Sequence, residues 1–304
     1  MFSSDKGQRR AARLEGIMEL CGRGQHFGAR ISGIDANAAS DADLASVMEA
    51  LLANRFVVLP GQQLDNDGYV GFGRRWGQPV ILIARNNRLE SHPEMIIQGN
   101  RAATPEYVRN VANHWHCDSS YEEVPATFTM LYGVEAPREG GETLFADLVA
   151  AYEALSEDRR LAYDGMTVLH KTSGATPLPD EHISDRSKIP PEIAANVTFL
   201  PPVTQPLVAA HPVNGRKALY GLGGSAYGIE GMDPDEGAAL ILDLRRYAAQ
   251  DRFVSRYKLM PGDLMIWDNF SVMHRATPIE YTDEPGHTRL NYRISVKGVP
   301  AFAA

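Results

Sequence analysis

His116-Cys117-Asp118 sets an imidazole and a carboxylate two residues apart. In an extended segment, positions i and i+2 project to the same face, so such a pair can grip one ion. Spacing alone is not selective. Nine histidines and 38 acids in 304 residues give roughly one H-x-[DE] match by accident. A second match, His92-Pro93-Glu94, stands without further polar company and is expected in a surface turn. The first is preceded by Trp115 and followed by Ser119, Ser120 and Tyr121. Downstream come the glycine turn Pro137-Arg138-Glu139-Gly140-Gly141-Glu142-Thr143, then Trp267-Asp268-Asn269, His274, Arg289 and Arg293. His114 shares the strand face of His116 and Asp118, which leaves His114-x-His116 as an alternative ligand pair. Asn113 and Tyr121 flank the ligands as candidate pocket residues. Cys117, between them, should point away.

From Leu290 onward the chain alternates. Leu290, Tyr292, Ile294 and Val296 form one face, and Arg289, Asn291, Arg293 and Ser295 the other, as in a half-buried strand. The two arginines then share a face with Cα atoms ~13 Å apart. A guanidinium facing inward needs an anionic partner, and its planar fork suits a carboxylate.

The elements that must position these groups are mostly short. Ser40, Asp41 and Asp43 open a helix carrying Leu44, Val47, Met48, Leu51 and Leu52 at helical spacing. Asp65 to Trp76 reads as a glycine-diluted helix, and Leu148, Tyr152 and Leu155 as one face of a helix after Asp147. Asp233-Pro234 is a cap with proline at the first position, and Leu240, Leu244 and Tyr247 face the core behind it. Phe56–Leu59, Thr127–Val134, Ala218–Leu222, Leu264–Trp267 and Leu290–Val296 are apolar runs bounded by turn residues. The fold class is therefore α+β with a mainly β core and flanking helices. Residues 172–202 hold six prolines with little periodicity and read as a lid loop. Without repeats or composition shifts, residues 26–304 are expected to form a single domain behind a solvated tail at 1–25.

Composition bounds the partners. With 44% hydrophobic and 22% charged residues and a net charge of −8, the chain is ordinary globular material that nothing draws to nucleic acid or anionic lipid. Two cysteines are too few for a disulfide-stapled scaffold. No apolar run is long enough for a membrane span, and the polar, basic N-terminus lacks the apolar core of a signal peptide. A cytoplasmic protein is expected.

The ordered set W-H-x-D, P-x-x-G-G-E-T, W-D-N-x-x-x-x-H and R-x-x-x-R resembles the taurine dioxygenase and phenoxyacetate-herbicide dioxygenase family. Similarity extends through Gly28–Asp35, Ala150–Leu155 and His211–Lys217, over roughly residues 27–298. The resemblance implies a double-stranded β-helix (jelly-roll, clavaminate synthase-like) and an Fe(II)- and 2-oxoglutarate-dependent dioxygenase that hydroxylates a small substrate with O2, releasing succinate and CO2. It implies His116, Asp118 and His274 as iron ligands, leaving three positions free for the keto acid and dioxygen. Imidazole and carboxylate suit ferrous iron. Retention of Asp118 argues against halogenation, which would need a small residue there. The resemblance further maps Thr143 and Arg289 to the distal carboxylate of 2-oxoglutarate. Arg293, Tyr121 and Asn113 map to the substrate, a small molecule bearing a carboxylate or sulfonate. Relatives of this kind are often homodimers or homotetramers. The segment after Gly77 lacks the histidine of taurine-specific members, which points to a more apolar acid. Two other readings predict different behaviour: a cupin-type metalloenzyme using His114, His116 and His274 without 2-oxoglutarate, and a non-catalytic acid-binding barrel.

Overall fold

Short apolar runs between turn residues form the strands. In chain order these are β1 (Met18–Leu20), β2 (Ala29–Ile31), β3 (Phe56–Leu59), β4 (Gln78–Pro79), β5 (Arg88–Leu89), β6 (His92–Gly99), β7 (Phe128–Glu135), β8 (Thr143–Asp147) and β9 (Thr167–His170). They continue with β10 (Val203–Pro206), β11 (Ala209–Ala210), β12 (Lys217–Ala218), β13 (Ala226–Ile229), β14 (Val254–Tyr257), β15 (Leu264–Asp268), β16 (Val272–Ala276) and β17 (Leu290–Lys297). The helices are α1 (Asp41–Asn54), α2 (Asn66–Trp76), α3 (Leu148–Glu153), α4 (Glu157–Tyr163) and α5 (Pro234–Ala248). The computed structural model describes residues 18–21, 25–81, 87–172, 178, 181, 191 and 200–303. Most of the proline-rich stretch expected as a lid, and most of the expected N-terminal tail, lie outside the described residues.

The core is mainly β. One nine-stranded sheet has the order β1-β2-β3-β15-β7-β17-β6-β5, with β4 paired to β17, and a second has the order β14-β8-β16. A third sheet, β10-β9-β13, packs beyond the second. Neighbours in the large sheet come from opposite ends of the chain, as where β7 pairs with β17 in the register Arg293↔Leu131 and Ser295↔Thr129.

Helix α1 starts at a capping box in which Ser40 and Asp43 exchange bonds, satisfying backbone donors that an open helix end leaves unpaired. Helices α1 and α2 cover one face of the large sheet over a cluster that includes Leu51, Trp76, Phe128, Ile294 and Val296. The other face meets the small sheet across Phe56, Val58, Leu131, Met265 and Trp267, with Phe145 and Val272 entering from the small sheet. Phe145 joins the layers, its ring stacked on Phe56 at 4.4 Å and packed at 5.7 Å from Trp267 and 6.1 Å from His274. Arg55, at the end of α1, pairs with Asp147 at 3.0 Å, and Asp147 also caps α3.

Several expectations shift. His92 and Glu94 begin β6 rather than occupying a surface turn; each pairs with α2, His92 with Asp67 at 2.9 Å and Glu94 with Arg74 at 2.7 Å. The short hairpin from Leu89 to His92 draws the segment into the sheet edge. Met18–Leu20, within the expected tail, forms β1 on β2 with exposed side chains. Such pairing uses backbone bonds only, so side-chain pattern does not announce it. Ala218 ends a two-residue strand and the chain turns at Tyr220–Leu222. On α5 the buried stripe is Gly237, Ile241, Leu244, Arg245 and Ala248, with Leu240 and Tyr247 only half-buried beside it.

Truncating Phe145 to Ala is expected to cost about 3–5 kcal/mol of stability, read from the midpoint of a urea unfolding curve.

Candidate metal centre

Residues far apart in the chain meet through one isolated bridge. The backbones of His116 and His274 exchange hydrogen bonds of 3.0 and 2.9 Å, which sets the two rings 4.3 Å apart. His274 lies on β16 opposite Phe145, so the small sheet carries one candidate ligand and the segment pinned to its edge carries the other two. Asp118 follows two residues after His116. Ligand atoms of His116, Asp118 and His274 all lie within 4.8 Å of one another.

The donor set fits a divalent ion. Both imidazole Nε2 atoms face the Asp118 carboxylate, at 3.9 Å from His116 and 3.7 Å from His274, too far for hydrogen bonds. His116 Nδ1 donates to the His114 carbonyl at 2.7 Å, which leaves the Nε2 lone pair free. Burial lowers the pKa of both histidines, with the neighbouring imidazole adding to the effect at His274. Both rings are therefore neutral and able to coordinate at neutral pH. Burial alone would raise the pKa of Asp118, but Arg293, His274, His116 and the Thr129 hydroxyl together hold it well below the usual carboxylate range.

Each carboxylate oxygen accepts one hydrogen bond from its surroundings. Arg293 Nη1 donates to Oδ1 at 3.1 Å and Thr129 Oγ1 to Oδ2 at 2.7 Å. The Asp118 amide donates to Asn269 Oδ1 at 3.3 Å, and Trp267 Nε1 donates to the same oxygen at 3.0 Å. Asn269 Nδ2 in turn donates to Thr129 Oγ1 at 2.9 Å. All three residues of Trp267-Asp268-Asn269 are thus engaged. Trp267 packs 4.7 Å from the His274 ring, Asn269 orients Asp118, and Asp268 meets His211 at 3.3 Å.

His114 stays outside the ligand set. Its ring lies 5.0 Å from that of His116 and packs against Gly224, where a methyl group would come within 2.8 Å of its Nε2. Cys117 faces away, its thiol donating to the Val272 carbonyl at 3.4 Å. Tyr121 is half-buried near the ligands; burial raises its phenol, and Arg293 and Asp118 both act on it. Asn113 is buried and donates to Asn110 Oδ1 at 3.0 Å, a bond internal to its turn.

Arg289 comes just before β17, and burial lowers its pKa. Its Nε has no hydrogen-bond partner among the described residues. The glycine turn packs against it: a Cβ on Gly141, which has φ +77°, would lie 3.7 Å from Arg289 Cδ. Thr143, the last residue of that motif, opens β8 opposite Ala276, two residues beyond His274.

A second support is one that sequence pattern did not single out. Glu181 and Arg245 form a buried ion pair at 3.1 Å. Glu181 accepts from the Trp115 amide at 2.6 Å, and Arg245 donates to the Trp115 carbonyl at 3.0 Å. Both backbone groups of the residue before His116 are thereby held. The available signal was Arg245 itself, a charge on the apolar stripe of α5 four residues after Ile241, where burial demands an acidic partner.

A mainly β core presenting two imidazoles and one carboxylate to a single point is the arrangement of non-haem Fe(II) oxygenases. The model described as "Taurine catabolism dioxygenase TauD, TfdA family" matches residues 20–294. The chain belongs to that family. It is 32% identical over 258 residues to the alpha-ketoglutarate-dependent 2,4-dichlorophenoxyacetate dioxygenase of Burkholderia sp. (strain RASC), covering 81% of this chain and 84% of the relative. It is 28% identical to the (S)-phenoxypropionate/alpha-ketoglutarate-dioxygenase of Sphingobium herbicidovorans, covering 90% and 93% of the two chains. A taurine dioxygenase from Burkholderia xenovorans superposes with a TM-score of 0.72 at 26% identity, covering 92% of this chain and 90% of that one. A structure of AAD-2 in complex with Mn(II) and N-oxalylglycine superposes with a TM-score of 0.70 at 26% identity, covering 92% and 96%.

Thr129→Val removes one bond to Asp118 while preserving shape; a roughly 10–100-fold loss of metal affinity is expected, measured by anaerobic titration with Fe(II). Glu181→Gln leaves Arg245 buried without its counter-charge and should cost about 3–5 kcal/mol. The double change Glu181→Leu with Arg245→Met should recover much of that in thermal unfolding.

Proposed function

We propose that this protein is an Fe(II)- and 2-oxoglutarate-dependent dioxygenase that hydroxylates a small, apolar organic acid. The observation that carries the reading is the convergence of His116, Asp118 and His274, with a positively charged residue already set on the carboxylate. In this reading those three side chains hold the iron. When bound, iron, 2-oxoglutarate and dioxygen supply the oxidising power, with the keto acid leaving as succinate and CO2 and one oxygen atom entering a substrate C–H bond.

The chain's own residues bind and orient. Arg289, whose guanidinium lacks a carboxylate among the described residues, would take the distal carboxylate of 2-oxoglutarate, helped by the Thr143 hydroxyl. Arg293 holds Asp118 with one nitrogen and keeps further donors of its fork for the substrate's carboxylate or sulfonate. Tyr121 would wall the pocket, and Asn113 would line it through its turn. The absence of histidine from Gln78-Pro79-Val80-Ile81, together with relatives named for phenoxy acids, favours an apolar acid over taurine. Hydroxylation beside an ether oxygen would collapse to a cleaved product. The position of His114 outside the ligand cluster weighs against a three-histidine site.

Two sheets facing one another around the Phe145 cluster support a double-stranded β-helix within a single domain over 26–304. No described helix is long and apolar enough to cross a membrane; the cysteine-poor composition supports a cytoplasmic location.

The test is anaerobic assembly with Fe(II) and 2-oxoglutarate, followed by screening carboxylates and sulfonates for spectral perturbation and succinate yield. Substrate-dependent succinate is expected, and Arg289→Ala should raise the 2-oxoglutarate KM at least tenfold with little change in the substrate KM. Absence of succinate across a broad acid panel overturns the assignment.

A further inference from the structure

One lateral row of the large sheet carries two arginines. Directly paired residues on neighbouring strands share a face. Starting at β3, the pairings run Val58, Met265, Leu131, Arg293, Ile96 and Arg88. Val58, Met265 and Leu131 pack between the two sheets, and Arg293 reaches Asp118, so this face looks onto the metal centre. Arg88 closes the row on edge strand β5, two strands beyond Arg293, or ~10 Å between Cα atoms.

The local register aims Arg88 inward. Arg88 pairs with Ile96 but Leu89 pairs with His92, so Pro93, Glu94 and Met95 have no partner on β5. Irregularities of this kind re-aim side chains near functional sites. Leu89 packs against the helix-covered cluster on the opposite face.

Arg88 is half-buried, its Nε is shielded from solvent, and that nitrogen has no hydrogen-bond partner among the described residues. Nor does its guanidinium pair with any described carboxylate, whereas Arg74 pairs with Glu94, Arg75 with Asp41 and Arg101 with Glu135. A shielded guanidinium nitrogen without an anion is unfavourable unless a ligand supplies one.

We infer that Arg88 is a second anion-binding residue of the substrate site, acting with Arg293 to hold one oxyanion (a carboxylate, sulfonate or sulfate) over Ile96. The inference rests on the proposed dioxygenase site and deepens it by defining the substrate's head group. Because Arg293 also donates to Asp118, an oxyanion held by it lies close to the metal cluster, which places the oxidised carbon close to the acid group.

Two measurements separate this inference from the reading it rests on. The first is calorimetric titration of protein loaded with Mn(II) and N-oxalylglycine, using 2,4-dichlorophenoxyacetate and then each acid active in the screen. The second is succinate release by the Fe(II)/2-oxoglutarate enzyme with the same acids. Arg88→Gln should weaken binding and raise the acid KM by roughly ten- to a hundredfold, the loss expected for a charge-assisted hydrogen bond. The 2-oxoglutarate KM and the anaerobic Fe(II)/2-oxoglutarate spectrum should not change, and Arg88→Lys should recover part of the affinity. If Arg88→Gln binds and turns over acids as the unaltered protein does while Arg293→Gln does not, Arg88 lies outside the site. An equal rise in the 2-oxoglutarate KM also overturns the inference, since the effect is then a general disturbance of the sheet. Acid binding that depends on Arg88 without any succinate release would sustain the clamp and remove the dioxygenase assignment. If no acid binds and none releases succinate, both fall.

Discussion

A carboxylate that is 5% exposed and yet held charged is the constraint on which the rest depends. Removing Asp118 from water is unfavourable by several kcal/mol unless partners replace the lost solvation. Those partners are Arg293 on β17 and Thr129 on β7, which donate to its two oxygens. Each can reach Asp118 only if the large and small sheets face one another in the observed register. The fold therefore presents a negative oxygen pair beside two neutral imidazole nitrogens, an arrangement that fits a divalent cation.

The surroundings divide the labour by direction. Below Asp118, the hydroxyl and amide network through Thr129, Ser295 and Asn269 fixes the carboxylate plane. To one side, Phe145 and Trp267 press on the His274 ring. Behind His116, the Glu181–Arg245 pair takes both backbone groups of Trp115. That pair also ties α5 to the ligand segment through Trp115.

The chemistry was the most legible part of the chain. The i, i+2 spacing alone arises by accident about once in such a chain; the ordered motifs W-H-x-D, P-x-x-G-G-E-T, W-D-N-x-x-x-x-H and R-x-x-x-R single out the family, because coordination and anion binding demand specific side chains whatever the backbone does. The alternation from Leu290 to Val296 was equally readable, since a strand between a helix layer and a polar site must alternate. Helix starts at Ser40, Asp147 and Asp233 also stood out, because capping is a local interaction. Less legible were β1, which pairs through backbone alone, and β6, whose opening residues His92-Pro93-Glu94 lack any neighbouring motif and whose place in the sheet rests on pairing with β5.

By itself the sequence determined the residue types available for the centre, the faces of its strands and the starts of its helices. These depend on side-chain chemistry and on neighbours within a few positions. Tertiary structure alone decided that His116, Asp118 and His274 converge within 4.8 Å of one another, that Glu181 meets Arg245, and that Arg88 shares a row with Arg293. Those outcomes depend on pairing between strands distant in the chain, and one strand's alternation carries no information about which partner, or which register, it will meet.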